Sequence, residues 1–215
     1  MNAQSKRLRR SGLSHAFTLI ELLLVIGIIA LLASMLMPTL AKSQARAKRI
    51  QCLGNLKQIG TAFNLFANEH QGKFPMQTRI ADGGTEEFTT SFAQFSSNTY
   101  RHFLAISADL GQPKILTCPM DNRTKATDWG SLNNTNISYF VWLSSAPMVT
   151  SDLLSGDRNI GWTGFVPTDP KRLGDSCFWE TNLHVACGNI VFADTHVELL
   201  DTPRLSSAIN LSLQQ

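Results

Sequence analysis

A single carboxylate, Glu21, stands inside the apolar run Phe17-Thr18-Leu19-Ile20-Glu21-Leu22-Leu23-Leu24-Val25-Ile26. An ionisable group in such a run costs about 2.5–3.5 kcal/mol on membrane-insertion scales, so it marks a working site with a partner. The partner must be a positive charge that can enter the same apolar surroundings. A cut between Ala16 and Phe17 would supply one, a free amine at Phe17. That amine on one copy could neutralise Glu21 on the next. The chemistry is charge pairing between copies, which a polymer satisfies and an isolated chain does not.

A second constellation lies near the C-terminus: His184, Asp194 and His196. His184 and Asp194 suit a hydrogen bond that ties strand ends together. As metal ligands, Asp194, Asp201 and loop carbonyls have the oxygen chemistry of calcium. The acidic residues are scattered, with no dense Asp-x-Asp run, and the expectation is no cofactor and no metal. For a zinc hydrolase no general base stands near these side chains. No glycine-rich phosphate loop follows a strand and no Gly-x-Ser-x-Gly elbow occurs, so no catalytic residues are expected and the chain reads as a non-enzyme. The aromatic residues Trp129, Tyr139, Trp142, Trp162 and Trp179 suit core and loop packing better than a sugar-stacking surface.

Four cysteines, an even number, fit an oxidising compartment and allow three pairings. The favoured one is Cys52–Cys118 with Cys177–Cys187. None has the C-x-x-C spacing of a zinc ribbon.

These residues need elements to position them. Residues 1–16 form a basic leader with Lys6, Arg7, Arg9 and Arg10 and no acid. Residues 17–37 are 21 residues of mostly apolar sequence, enough to cross about 30 Å of hydrocarbon at 1.5 Å per residue. An ordinary signal peptide or a plain anchor would share much of this pattern, but neither needs Glu21. Pro38 interrupts the helical pattern, with a kink expected there. Residues 38–71 then carry Leu40, Ala45, Ile50, Leu53, Leu56, Ile59, Phe63 and Phe66 at steps of three and four or near them, an apolar stripe for a helix lying on a sheet. Gly72 and Pro75 are the stop signals.

Residues 72–215 are long enough for one hydrophobic core. Thr78 to Asn98 reads as loop, Tyr100 to Leu110 as a short helix, and Ile115 to Cys118 as a short strand. Strands are also expected over Ile137 to Leu143 and Leu173 to Glu180. Asn189 to Ala193 and His196 to Leu200 form a hairpin across Asp194-Thr195. The fold class is α+β: a long N-terminal helix, its lower half transmembrane, packed on an antiparallel sheet.

The formal charge of +3 belongs to the leader. Without residues 1–16, 15 basic residues face 16 acidic ones, which gives no support to nucleic-acid binding. Four basic residues precede the span and four follow it (Lys42, Arg46, Lys48, Arg49), so counting them leaves orientation undecided. Outside the membrane, the second cluster could touch lipid.

The run Phe17 to Ala33 behind its basic leader resembles the class III leader and N-terminal helix of type IV pilins and type II secretion pseudopilins. The spacing His184, nine residues, Asp194 resembles a His-x9-Asp-Gly signature of some pilin-like proteins, as do Cys52-Leu53-Gly54-Asn55-Leu56-Lys57-Gln58 and Cys118-Pro119. Two positions depart from the pattern: Ala16 stands where Gly is usual, and Thr195 stands where the signature has Gly. The resemblance implies cleavage between Ala16 and Phe17 by a prepilin peptidase and N-methylation of Phe17. It implies assembly with other pilin-like subunits at an inner-membrane platform. The chain would be a single-pass protein of the inner (cytoplasmic) membrane, N-terminus cytoplasmic, head exported to the periplasm or cell surface. A type II secretion pseudopilus or a related type IV filament is the implied product. The alternative is a membrane-tethered carbohydrate- or ion-binding module.

Overall fold

The computed structural model describes residues 18–89, 98–147, 149–163, 170–181, 183–184 and 186–214. The chain divides into two compact units, Met1–Gln44 and Ala45–Gln215. One helix, α1 (Leu19–Glu69), supplies the described elements of the first unit and opens the second. It is one helix across Pro38, the position at which a kink was expected. The hydroxyls in its apolar stretch do not stand alone. Ser34 Oγ donates to the Leu31 carbonyl and Thr39 Oγ1 to the Leu36 carbonyl, each at 2.7 Å, the usual way a hydroxyl is carried inside an apolar helix.

In the second unit α1 buries Cys52, Asn55, Leu56, Ile59, Gly60, Ala62, Phe63, Phe66 and Ala67, one face at steps of three and four. Leu40 and Ile50, expected in this stripe, are exposed, so the buried face begins at Cys52. The helix ends in a left-handed turn with Gln71 at φ 57° and Gly72 at φ 73°, and the Gly72 N–H reaches back to the Ala67 carbonyl at 2.8 Å. Pro75 starts the 3₁₀ turn that follows.

A four-stranded antiparallel sheet has the order β1-β2-β5-β6, with β1 Tyr139–Val141, β2 Leu153–Asp157, β5 Cys187–Phe192 and β6 Val197–Asp201. A separate pair joins β3 (Ile160–Trp162) to β4 (Cys177–Trp179). Alternation along the strands divides the core in two. Tyr139, Val141, Leu154, Val191 and Ala193 join the cluster that contains the buried face of α1. Phe140, Trp142, Leu153, Ile190, Phe192 and Leu200 join Leu205 and Ile209 of the C-terminal helix, Thr202–Ser212. The helix-on-sheet α+β arrangement expected from the sequence is present, with a second layer behind the sheet.

Contact between α1 and the sheet is close. A Cβ on Gly60 would lie 2.7 Å from Val191 Cγ2 and 3.6 Å from Thr195 Cα. Asn64 Nδ2 donates to the Ala193 carbonyl at 2.8 Å. The hairpin loop rests there: Thr195 N–H bonds the Phe192 carbonyl (2.9 Å), Phe192 N–H bonds the His196 carbonyl (3.0 Å), and Thr195 sits at φ 72°. This is a three-residue loop whose last residue is left-handed, a position that favours glycine.

Several elements differ from expectation. Ile115 to Cys118 is not a strand; Pro113 pre-sets a 3₁₀ turn over Pro113–Leu116 that consumes half of that run. Tyr100 to Leu110 is two short helices, Thr99–Ala105 and Ser107–Leu110, with Ile106 between them. Of Leu173 to Glu180 only Cys177–Trp179 is strand, because Pro170–Ser176 is 3₁₀. Strands β2 and β3 had no counterpart in the sequence reading. In β2 every position is buried, so it lacks the alternation that marks a half-exposed strand. Gly156 is required there: a Cβ would lie 2.5 Å from Ile190 Cδ1 and 2.8 Å from a ring carbon of Phe140.

Candidate functional site

The first candidate is at the start of α1. Glu21 is at the third position after Thr18, and the two close a capping box. The Thr18 N–H and Oγ1 donate to Glu21 Oε2 at 2.9 and 2.7 Å, and the Glu21 N–H reaches Thr18 Oγ1 at 3.3 Å. Every residue from 18 to 48 is exposed within the chain. The bonds from Thr18 satisfy one carboxylate oxygen, and among the described residues no cation pairs with the charge. Oε1 has no partner among the described residues. Ala16 and Phe17, the expected processing residues, lie outside the described residues. The helix is long and apolar enough to cross a membrane.

The second candidate is a buried polar cluster where four parts of the second unit meet. Asp157 ends β2 opposite Tyr139 of β1, Asn189 is on β5, and His184 lies between β4 and β5. All three, Asp157, Asn189 and His184, are fully buried. Asp157 Oδ2 accepts from the Asn189 backbone N–H and from Asn189 Nδ2, both at 2.7 Å, and stands 3.2 Å from His184 Nε2. The same His184 nitrogen is 3.9 Å from Cys118 Sγ. Asp157 Oδ1, His184 Nδ1 and Asn189 Oδ1 have no partner among the described residues. Buried atoms of this kind are costly and uncommon in folded proteins. Burial, and secondly the Asp157 charge, hold the Tyr139 phenol above its ordinary range.

His184 and Asp194, expected as a pair, do not meet. The partner of His184 is Asp157, and Asp194 accepts from the His196 backbone N–H at 3.0 Å and touches the His196 ring. Asp201 caps the C-terminal helix by accepting from the Arg204 N–H at 3.0 Å. Asp194 and Asp201 stand beyond and at the two ends of β6, whose five residues span roughly 16 Å, so they do not share an ion. Tyr139, Trp142 and Trp179 are buried, so they present no stacking surface.

Cys52 of α1 and Cys118 are joined by a disulfide, Cα atoms 5.4 Å apart. Cys177 and Cys187 are both free. The expectation of a bond between them is corrected: Cys177 starts β4 and pairs in register with Trp162, while Cys187 starts β5 in the other sheet and pairs with Asp201. Burial pushes the Cys177 thiol up to about 12.

A third group supports the Cys118-Pro119 segment. Asp121 takes a two-pronged bond from Arg158 (2.8 and 2.9 Å) and one from Ser138 Oγ at 2.7 Å. Burial pushes the Asp121 carboxyl up, and the bonds from Arg158 and Ser138 outweigh it, holding the group below its ordinary value. Asp121, Asp157 and Asn189 were all missed in the sequence. Asp157 lies 27 positions before His184, at the end of a strand that was itself not recognised.

No family model matches the chain, and no solved structure does. The chain is 43% identical over 95 residues to a protein described as "Type IV major pilin protein PilA" from Myxococcus xanthus; the match covers 44% of this chain and 39% of that relative. The chain therefore spans about two fifths of the length of the curated relative it matches. That likeness, together with a long N-terminal helix followed by an antiparallel sheet, supports a type IV pilin-like family for the chain.

Proposed function

We propose that this chain is a pilin-like structural subunit whose work is polymerisation, not catalysis. The observation that carries the reading is the bare apolar first half of α1 with one carboxylate near its start. Thr18 supplies hydrogen bonds to Glu21 but no opposite charge. In an apolar medium the remaining charge demands a cation. Cleavage between Ala16 and Phe17 by a prepilin peptidase provides it as the new, N-methylated Phe17 amine of a neighbouring subunit. Apolar helices then bundle by close fit, since hydrocarbon gives them no hydrophobic drive to associate. The subunit is anchored by a single span in the inner membrane, N-terminus inside and head exported. It joins a type II secretion pseudopilus or a related type IV filament through an assembly platform.

The test separates charge from hydrogen bonding. Glu21→Gln keeps an acceptor for the capping box and loses the charge; Glu21→Ala loses both. Both variants are expected to insert into the membrane and to be absent from sheared filaments when expressed with the wild-type subunit. Normal incorporation of Glu21→Ala would overturn the reading. Incorporation of Glu21→Gln alone would reduce the role of Glu21 to capping.

A further inference from the structure

The disulfide is surrounded by more ligand chemistry than a disulfide needs. The donor atoms of Cys52, Cys118 and His184 all lie within 4.8 Å of one another and are fully enclosed. Asp157 adds a carboxylate 3.2 Å from His184 Nε2, and Cys118 Sγ is 3.9 Å from that nitrogen. A tetrahedral zinc ion, with bonds of about 2.1 Å to nitrogen or oxygen and 2.3 Å to sulfur, holds its ligand atoms roughly 3.3–3.8 Å apart. Two edges of such a tetrahedron are therefore nearly in place. The two sulfurs, bonded to each other in the structure, must part to about 3.8 Å, and the Asp157 carboxylate, which lies outside the group of three, must turn toward them. The second, independent observation is Asp157 Oδ1, a buried carboxylate oxygen with no partner among the described residues. Asn189 already orients that carboxylate through two bonds to Oδ2, as the outer shell of a metal site does.

We propose that the cluster has two exclusive states: the disulfide in the oxidised chain, and in the reduced chain a zinc site formed by Cys52, Cys118, His184 and Asp157. On binding, the two thiols lose two protons and the thiolates bind the ion. On oxidation by a small-molecule or protein disulfide, the two thiolates give up two electrons, their S–S bond forms, Zn²⁺ leaves, and the oxidant takes two protons to become two thiols. The site would let the head fold around a metal before the disulfide closes.

The test uses the full chain in detergent, with Cys177→Ser and Cys187→Ser removing the other thiols, and cobalt(II) as the spectroscopic probe for zinc. The reduced chain is expected to bind one equivalent, with a thiolate charge-transfer band and the visible bands of tetrahedral cobalt. Oxidised glutathione should release it. His184→Ala should weaken binding at least tenfold and alter the visible bands, and Cys118→Ser should abolish the charge-transfer spectrum of the pair. Circular dichroism follows the fold: if the reduced chain unfolds and cobalt restores it, the proposal stands. No stoichiometric binding by the reduced chain would overturn it, as would equal binding by the oxidised chain or affinity indifferent to His184→Ala.

Discussion

The two halves of α1 belong to one helix and end in opposite circumstances. From Leu19 to Leu40 the large apolar side chains are exposed within the chain; from Cys52 to Ala67 one face is buried against the sheet and the segments around it. In the second half the chain supplies its own partners, including Gly60 for close approach and Asn64 for a bond to the hairpin loop. In the first half its described side-chain bonds are local ones, Thr18 to Glu21 and the hydroxyls of Ser34 and Thr39 to carbonyls three residues back. A helix that hides one half and bares the other is written for two surroundings, and only one of them is the protein itself.

The contrast is sharpest in the core. Phe63 is fully buried, with edge-on ring contacts to Phe74 and Phe103 at 6.0 and 6.1 Å. Phe63→Ala should destabilise the head by about 3–5 kcal/mol, read as a fall in its melting temperature. Leu23→Ala should leave that temperature nearly unchanged, because this side chain is 59% exposed and joins neither buried core cluster. Equal losses from the two would erase the distinction.

The disulfide is the covalent tie of α1 to the head across a separation of 66 residues. Chain entropy alone makes a closure of that length worth roughly 4 kcal/mol. Cys118→Ser should cost between about 2 and 4 kcal/mol in denaturant titration, and Cys187→Ser, at a free thiol, well under 1 kcal/mol.

A pH effect follows from His102, buried with Nδ1 2.7 Å from Thr85 Oγ1. Burial lowers its imidazole from 6.5 to about 4. Above pH 6.5 the ring is neutral in both folded and unfolded chains and adds no pH dependence. Between 6.5 and about 4 only the unfolded chain takes up the proton, so stability falls with pH, by no more than roughly 3 kcal/mol. His102→Gln should flatten the stability profile over that window; an unchanged slope would mean other groups set it.

The smallest effect runs in the other direction. Thr195 is a β-branched residue held at φ 72°. Thr195→Gly should raise stability by about 1 kcal/mol, provided the loop keeps its contact with Gly60.

What could be read from the sequence was whatever had local periodicity. The long helix announced itself through an apolar run and then a stripe, and the hairpin through alternating strands around Asp194-Thr195. Strand β2 did not, because Ser155, Gly156 and Asp157 are there for reasons that only neighbours explain: Ser155 Oγ bonds the Phe140 carbonyl at 2.5 Å, Gly156 makes room for Ile190, and Asp157 receives Asn189. With β2 unseen, the partner of His184 could not be found, and the nearby Asp194 took its place. Residue type identified the chemistry; three-dimensional adjacency decided which residues share it.

The central claim is that Glu21 awaits an ammonium group made by cutting the chain at Phe17. Mass spectrometry of the intact protein, recovered from membranes and filaments of the producing cell, tests it directly. The account predicts a chain that begins at a methylated Phe17, and an Ala16→Glu variant that keeps residues 1–16. A mature chain that begins at any other residue would contradict it.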